Sequence, residues 1–219
     1  MKRSASDLVF FALKLHEKGF VASTDGNLSI RLASGGFLAT PSGIPKAELN
    51  ETLLAAVSPS GQGKSGRLSS EWPLHFAVYR RDPGVGAIVH AHPPCATALA
   101  CSLETFDTGF LSEAVMSLGE VPVVPYEMPS SETLADAVAA ALRNRRAALL
   151  ANHGAVTVGP DIRTAFYRME SLEHSARIFL NARILGGARR LDDEEIAALL
   201  RLAEGYALAD NPGYPPRPD

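Results

Sequence analysis

The sequence predicts a single α/β domain over residues 1–210, followed by a Pro-rich tail at 211–219. Three observations lead there. Segments with apolar residues at helical spacing alternate along the chain with short, β-branched apolar runs, the pattern of a mixed helix-and-sheet domain. No internal repeat and no linker-like stretch divides the chain. Its 219 residues, 46% of them apolar, are enough to enclose one substantial core.

Each element has a local reason. Residues 4–19 read as a helix: Leu8, Phe11, Ala12 and Leu15 share a face, Ser4 and Asp7 offer a capping box, and Gly19 suits the C′ position. Alternation over 27–32 gives a strand, Ser34-Gly35-Gly36 a turn, and Phe37-Leu38-Ala39 the return arm of a hairpin. Pro41-Ser42-Gly43-Ile44-Pro45 is a turn, 53–58 a short strand, and 62–68 a polar loop or hairpin turn. Ser69 or Ser70 is placed to N-cap a helix that runs to Arg81 and stops at Asp82-Pro83-Gly84. Residues 86–92 form a buried strand bounded by Pro93-Pro94, and a helix follows over 95–101. Then come a strand at 121–126, a helix at 131–145 and a strand at 147–153 ending before Gly154. The long helix 161–185 carries Phe166, Met169, Leu172 and Phe179 on its apolar side and stops at Gly186-Gly187. A last helix spans 192–208.

Composition narrows the function. Lys and Arg total 21 against 24 Asp and Glu, a formal charge of −3 spread along the chain, which argues against a nucleic-acid-binding surface. No apolar run approaches the roughly 20 residues of a membrane span. Met1-Lys2-Arg3 leads into an amphipathic helix and not into a signal peptide. Two cysteines cannot staple a secreted scaffold and fit a reducing compartment, so the expectation is a cytoplasmic protein without nucleic-acid or membrane partners.

The six histidines are the hint of chemistry. In His90-Ala91-His92 both imidazoles project from one face at a strand end, because side chains alternate along a strand. His153 closes a second apolar strand just before Gly154. Three nitrogens with an open fourth position match a catalytic zinc site, not a closed structural one. His16, His75 and His174 fall inside predicted helices without partners at useful spacing, and read as ordinary surface or packing residues. A carboxylate and several anion-receptive turns accompany the histidines. Ser69-Ser70-Glu71 opens a helix whose free N–H groups favour an anion, while Glu71 itself either complements the dipole or does chemistry. Thr24-Asp25-Gly26-Asn27 and Ser42-Gly43 are either ordinary turns or parts of an anion cradle.

Together these residues resemble the class II, zinc-dependent aldolase/adducin-head family, which includes fuculose-1-phosphate aldolase. The matching pieces stand in the family's order: Gly26-Asn27-Leu28-Ser29 with Arg31, Pro41-Ser42-Gly43-Ile44-Pro45, Ser69-Ser70-Glu71, His90-Ala91-His92-Pro93, Pro125-Tyr126 and Asn152-His153-Gly154. The resemblance implies a three-layer α/β/α domain with a mainly antiparallel central sheet, in a homotetramer with active sites near subunit interfaces. It implies His90, His92 and His153 as ligands of Zn2+, with Mn2+ or Co2+ as other divalent options. By the same resemblance Glu71 is the catalytic acid/base, and Thr24, Gly26, Asn27, Ser42, Gly43, Ser69 and Ser70 bind the phosphate of a small sugar. The main expectation is an aldolase that cleaves a ketose 1-phosphate to dihydroxyacetone phosphate and an aldehyde. The alternatives are a dehydratase or decarboxylase acting on a related phosphorylated sugar or sugar acid, and a non-catalytic scaffold. Two departures bear on that choice. No tyrosine stands in the segment Phe110-Leu111-Ser112-Glu113, where the aldolase has its proton donor. Glu113 lies instead where the methylthioribulose-1-phosphate dehydratases carry a catalytic glutamate. Tyr206 and Tyr214 are further proton-donor candidates.

Overall fold

The computed structural model describes residues 2–206 except Glu104, with backbone only at 2, 3 and 204–206. The tail at 211–219 and Tyr214 lie outside the described residues, as does the side chain of Tyr206. In chain order the elements are α1 (Lys2–Glu17), β1 (Asn27–Arg31), β2 (Phe37–Ala39), β3 (Ala55–Val57), β4 (Gly63–Ser65), α2 (Trp72–Arg81), β5 (Ala87–Ala91), α3 (Pro94–Ala100), α4 (Ser112–Leu118), β6 (Val123–Val124), α5 (Glu132–Ala141), β7 (Ala147–Leu150), β8 (Gly154–Gly159), α6 (Ile162–Ile184) and α7 (Asp193–Tyr206).

Strand alternation sorts the core into two halves. In β5, Ala87, Val89 and Ala91 join a cluster built with Leu8, Phe11 and Leu15 of α1, Leu99 of α3, and Phe166, Met169 and Leu172 of α6. Ile88 points the other way and packs with Trp72, Val78 and Tyr79 of α2 and with Leu134 and Val138 of α5. A strand apolar on both sides must be covered on both faces, which makes the domain three layers. The sheet has eight strands in the order β4-β3-β2-β1-β5-β8-β7-β6, antiparallel throughout except for the parallel β6–β7 pair. Such a largely antiparallel sheet covered by helices is the architecture expected.

Helix ends follow the local sequence cues in some places and depart from them in others. Asp161 accepts the Thr164 N–H at 2.7 Å and so starts α6; Ser131 accepts the Leu134 N–H at 3.1 Å and starts α5. Ser4 does not cap α1, because that helix already begins at Lys2. Neither Ser69 nor Ser70 caps α2. Its N-cap position is Glu71, and the Ser69 hydroxyl accepts the Glu71 N–H at 3.2 Å in the turn before it. The strand expected at 147–153 is an arm of a hairpin: β7 ends at Leu150, Asn152 turns the chain with φ of +56°, and β8 runs back from Gly154. Three other elements differ from expectation. Residues 62–68 contain the exposed edge strand β4, α4 occupies a stretch with no predicted helix, and the strand at 121–126 shrinks to β6. Among the described residues no helix is long and apolar enough to cross a membrane.

Candidate metal centre and active site

Antiparallel pairing gathers the chemistry at one end of the sheet. β1 begins there, β5 and β7 end there, and β8 starts there, with Asn27 opposite His90 and Ala91 opposite Ala155. His90 is the penultimate residue of β5, His92 follows the strand, and His153 sits in the β7–β8 turn. Their ring centroids are 4.8 to 5.3 Å apart, and one ligand nitrogen from each lies within 4.8 Å of the others. Two glycines permit this crowding. A Cβ on Gly154 would come within 2.5 Å of His92 Cδ2 and 2.6 Å of the Ala91 carbonyl, and one on Gly26 within 2.9 Å of the His90 carbonyl. Gly26 also has φ of +69°, a conformation costly for other residues.

The polar surroundings of the three rings leave nitrogens turned to one point. His90 Nδ1–H donates to the Ala155 carbonyl at 3.0 Å, which leaves Nε2 facing the cluster. His92 Nδ1 lies 3.7 Å from Asp25 Oδ2, and its Nε2 is buried without a partner. His153 Nδ1 is buried and unpartnered too, as is Glu71 Oε2, which stands 4.0 Å from His90 Nε2. Buried polar atoms without partners are costly, so several converging on one point mark a place where a ligand belongs. Burial, reinforced by the neighbouring imidazoles, holds the pKa of His90 well below its usual 6.5. Burial also lowers that of His92, with Asp25 and Glu71 pulling the other way. Neutral imidazoles are what a metal needs. Ligand nitrogens around a tetrahedral zinc lie about 3.4 Å apart, given bonds of about 2.0–2.1 Å. A spread of at most 4.8 Å is near enough to that spacing for the trio to be able to hold a divalent ion.

The predicted anion-receptive segments come together beside the cluster. The Ser42 N–H donates to the Arg67 carbonyl at 2.9 Å and Pro41 bridges to Leu68, setting Ser42-Gly43 next to Ser69-Ser70. The Thr40 N–H donates to the Leu28 carbonyl at 2.9 Å, tying that strand end to Gly26-Asn27. Thr24 is held from below by Lys46, a fully buried lysine whose Nζ donates to the Thr24 carbonyl at 3.0 Å. Burial pushes the Lys46 pKa down to about 8, against the pull of Asp25. Asp25, an odd member of an anion cradle by its charge, turns toward His92 instead.

Glu113 is not brought to the cluster within this chain. It is exposed in the first turn of α4, which packs on α6 and α7. Three residues that the sequence did not single out contact the candidate site residues. Besides Lys46, Ser130 donates its hydroxyl to Glu71 Oε1 at 2.9 Å from a position with φ of +67°. His75 is no surface histidine: it is 2% exposed and bonded to Asn27 and Ser29. Their partners are 22 or more residues away in sequence, so no local pattern reveals them.

A family profile described as Class II Aldolase and Adducin N-terminal domain matches residues 6–180. The 3-oxo-tetronate 4-phosphate decarboxylase of Pectobacterium atrosepticum is 39% identical over 206 residues, 90% of this chain and 93% of that one. The L-fuculose phosphate aldolase of Escherichia coli is 31% identical, covering 93% of this chain and 95% of its own. Among solved structures, an L-fuculose 1-phosphate aldolase superposes with a TM-score of 0.86 at 32% identity, covering 93% of this chain and 97% of the other. The three-histidine turn-and-strand cluster, the segments around it and the mainly antiparallel three-layer fold thus have a common explanation: the chain belongs to the class II aldolase and adducin N-terminal domain family.

Proposed function

We propose that the protein is a metal-dependent lyase that decarboxylates a 3-oxo sugar acid phosphate of the 3-oxo-tetronate 4-phosphate type, giving dihydroxyacetone phosphate. The observation that carries this is Glu71 Oε2, buried and without a partner 4.0 Å from His90 Nε2, beside three convergent histidines. His90, His92 and His153 would hold the ion, with zinc the leading choice. Bound there, a divalent cation supplies positive charge that draws electrons from the substrate's carbonyl and hydroxyl oxygens.

The residues of the chain then divide the work. Ser42, Gly43, Ser69, Ser70, Thr24, Gly26 and Asn27 bind the phosphate and fix the register of the carbon chain against the histidines. The bond between the carboxylate carbon and its neighbour breaks, carbon dioxide leaves, and the electron pair enters the enediolate. Glu71 delivers one proton from Oε2 to the carbon that lost the carboxylate, and Ser130 holds the other oxygen of that carboxyl in place. Aldol cleavage passes through the same enediolate but has an extra demand, since a base must take the proton of the departing aldehyde's hydroxyl. The segment 110–113 has no tyrosine for that task, only the carboxylate of Glu113. Decarboxylation needs none. This, with the 39% identity to a decarboxylase against 31% to an aldolase, favours the decarboxylase over the aldolase expected at first. A cytoplasmic homotetramer, in which Glu113 of a neighbouring copy approaches the site, completes the reading.

The deciding experiment incubates the metal-loaded protein with enzymatically generated 3-oxo-tetronate 4-phosphate and, separately, with ketose 1-phosphates. One carbon dioxide released per dihydroxyacetone phosphate, with little aldehyde from the ketoses, is the expected result. Efficient aldehyde release without decarboxylation returns the protein to the aldolases.

A further inference from the structure

His75 and Tyr79 lie one turn apart on α2, and Asn27 and Ser29 lie two residues apart on β1. Helix period and strand period therefore bring the two pairs face to face between α2 and the sheet. The polar atoms form an unbroken line. Tyr79 Oη lies 2.8 Å from Ser29 Oγ, Ser29 Oγ 2.7 Å from His75 Nδ1, and His75 Nε2 2.5 Å from Asn27 Oδ1. All four residues are at most 6% exposed.

Given Asn27 Oδ1 as the amide atom that faces His75 Nε2, counting donors sets the direction of every hydrogen in that line. Asn27 Oδ1 has no proton to give, so His75 must carry its hydrogen on Nε2 and donate it. Nδ1 is then a bare acceptor, which requires the Ser29 hydroxyl to donate to it. Ser29 Oγ in turn accepts from the Tyr79 hydroxyl. A reversed amide would invert the whole relay and aim the Asn27 oxygen at the anion cradle, where it would repel a phosphate. We propose that His75 is a positioning residue: through the relay Tyr79 to Ser29 to His75 it holds Asn27 Oδ1 back, so that Asn27 Nδ2 is presented as a fixed donor to a phosphate monoester. This rests on the phosphate-cradle reading above. Burial keeps the imidazole neutral, its pKa pushed down to about 3, so the donor does not change with ordinary pH.

Two measurements on the full-length, metal-loaded protein test it. The first is the tautomer of His75 by 15N NMR, unambiguous once compared with His75→Gln; the expected form is neutral with its hydrogen on Nε2, and a hydrogen on Nδ1 overturns the proposal. The second is calorimetric binding of inorganic phosphate. His75→Phe should weaken it about tenfold, while His75→Gln, which keeps a donor, should stay within about threefold of the wild type. Ser29→Ala, a small change that leaves the packing in place, should cost about threefold by freeing the tautomer. His75→Phe added to Asn27→Ala should cost nothing more, which a merely structural role would not produce. Wild-type affinity in both His75→Phe and Ser29→Ala, or additive losses in the double variant, overturns the role of His75 while leaving the cradle standing. A wild-type protein that binds no phosphate overturns the cradle and this assignment with it.

Discussion

Two groups of histidines face the same layer of the domain and differ in one respect. His75 has both ring nitrogens bonded, to Ser29 and to Asn27, and nothing is left over. His90, His92 and His153 have been arranged so that each keeps a nitrogen back, and two of those nitrogens are buried with no partner. The first group is scaffold: its hydrogen bonds close on themselves and fix a side chain. The second is a site, because folding leaves it with unmet bonding capacity that a cation can meet. Burial alone, or a depressed pKa alone, does not separate the two, since His90 is as buried as His75 and burial lowers the pKa of His90 and His92 as it does that of His75. The pattern of unsatisfied atoms does.

That contrast can be broken from either side. The largest effect should follow His90→Ala. Changes to the partners of metal ligands already cost about 10–100-fold in metal affinity, so losing a ligand should exceed about 100-fold. Metal analysis after dialysis against a weak chelator reads this, and retention of one ion per chain would break the comparison. Asp25→Asn removes only the charge beside His92 Nδ1 and should weaken metal binding by about tenfold, measured by competition with a chromogenic chelator. An unchanged affinity would make Asp25 a bystander.

Stability sharpens the other side. The pKa of His75 falls from 6.5 in the unfolded chain to about 3 in the folded one. Between those values the unfolded chain holds a proton that the folded chain does not. Stability is therefore complete above about pH 6.5 and declines as the pH falls, by up to about 1.4 kcal/mol per unit. Urea unfolding between about pH 4.5 and 6 should show that His75→Gln flattens the slope by that one-proton amount; an identical slope would mean His75 is exposed to protons after all. Smallest of all, Ser130→Ala deletes one hydrogen bond to Glu71 and should lower kcat about two- to tenfold, with metal content unchanged.

The same comparison explains what was legible in the sequence. Local signals were sufficient where the physics is local. Asp161 and the Gly186-Gly187 pair delimit α6 within a residue or two, and period-2 alternation revealed the β1–β2 hairpin. The spacing of His90 and His92, with His153 far along the chain, pointed to the metal cluster. Legibility ended at turns and at long range. The run Gly154-Ala155-Val156-Thr157-Val158 is plainly strand-like, yet Asn152-His153-Gly154 signals the end of a strand as readily as a hairpin turn, which hides β8. α4 is seven residues with little periodicity to detect, and β4 is an exposed polar edge strand. His75 and Ser130 act through partners 48 and 59 residues away, a distance at which helical or strand periodicity carries no information.

The central claim is that the unmet bonding at the sheet end performs the chemistry, with Glu71 moving the proton. Deuterium exchange at the hydroxymethyl carbon of dihydroxyacetone phosphate, followed by NMR in D2O, tests it most directly when run on the wild type and on Glu71→Gln with metal content measured in both. The account predicts exchange in the wild type and a loss of at least about 100-fold in Glu71→Gln, each protein holding the same amount of metal. Exchange at the wild-type rate in metal-loaded Glu71→Gln would contradict it.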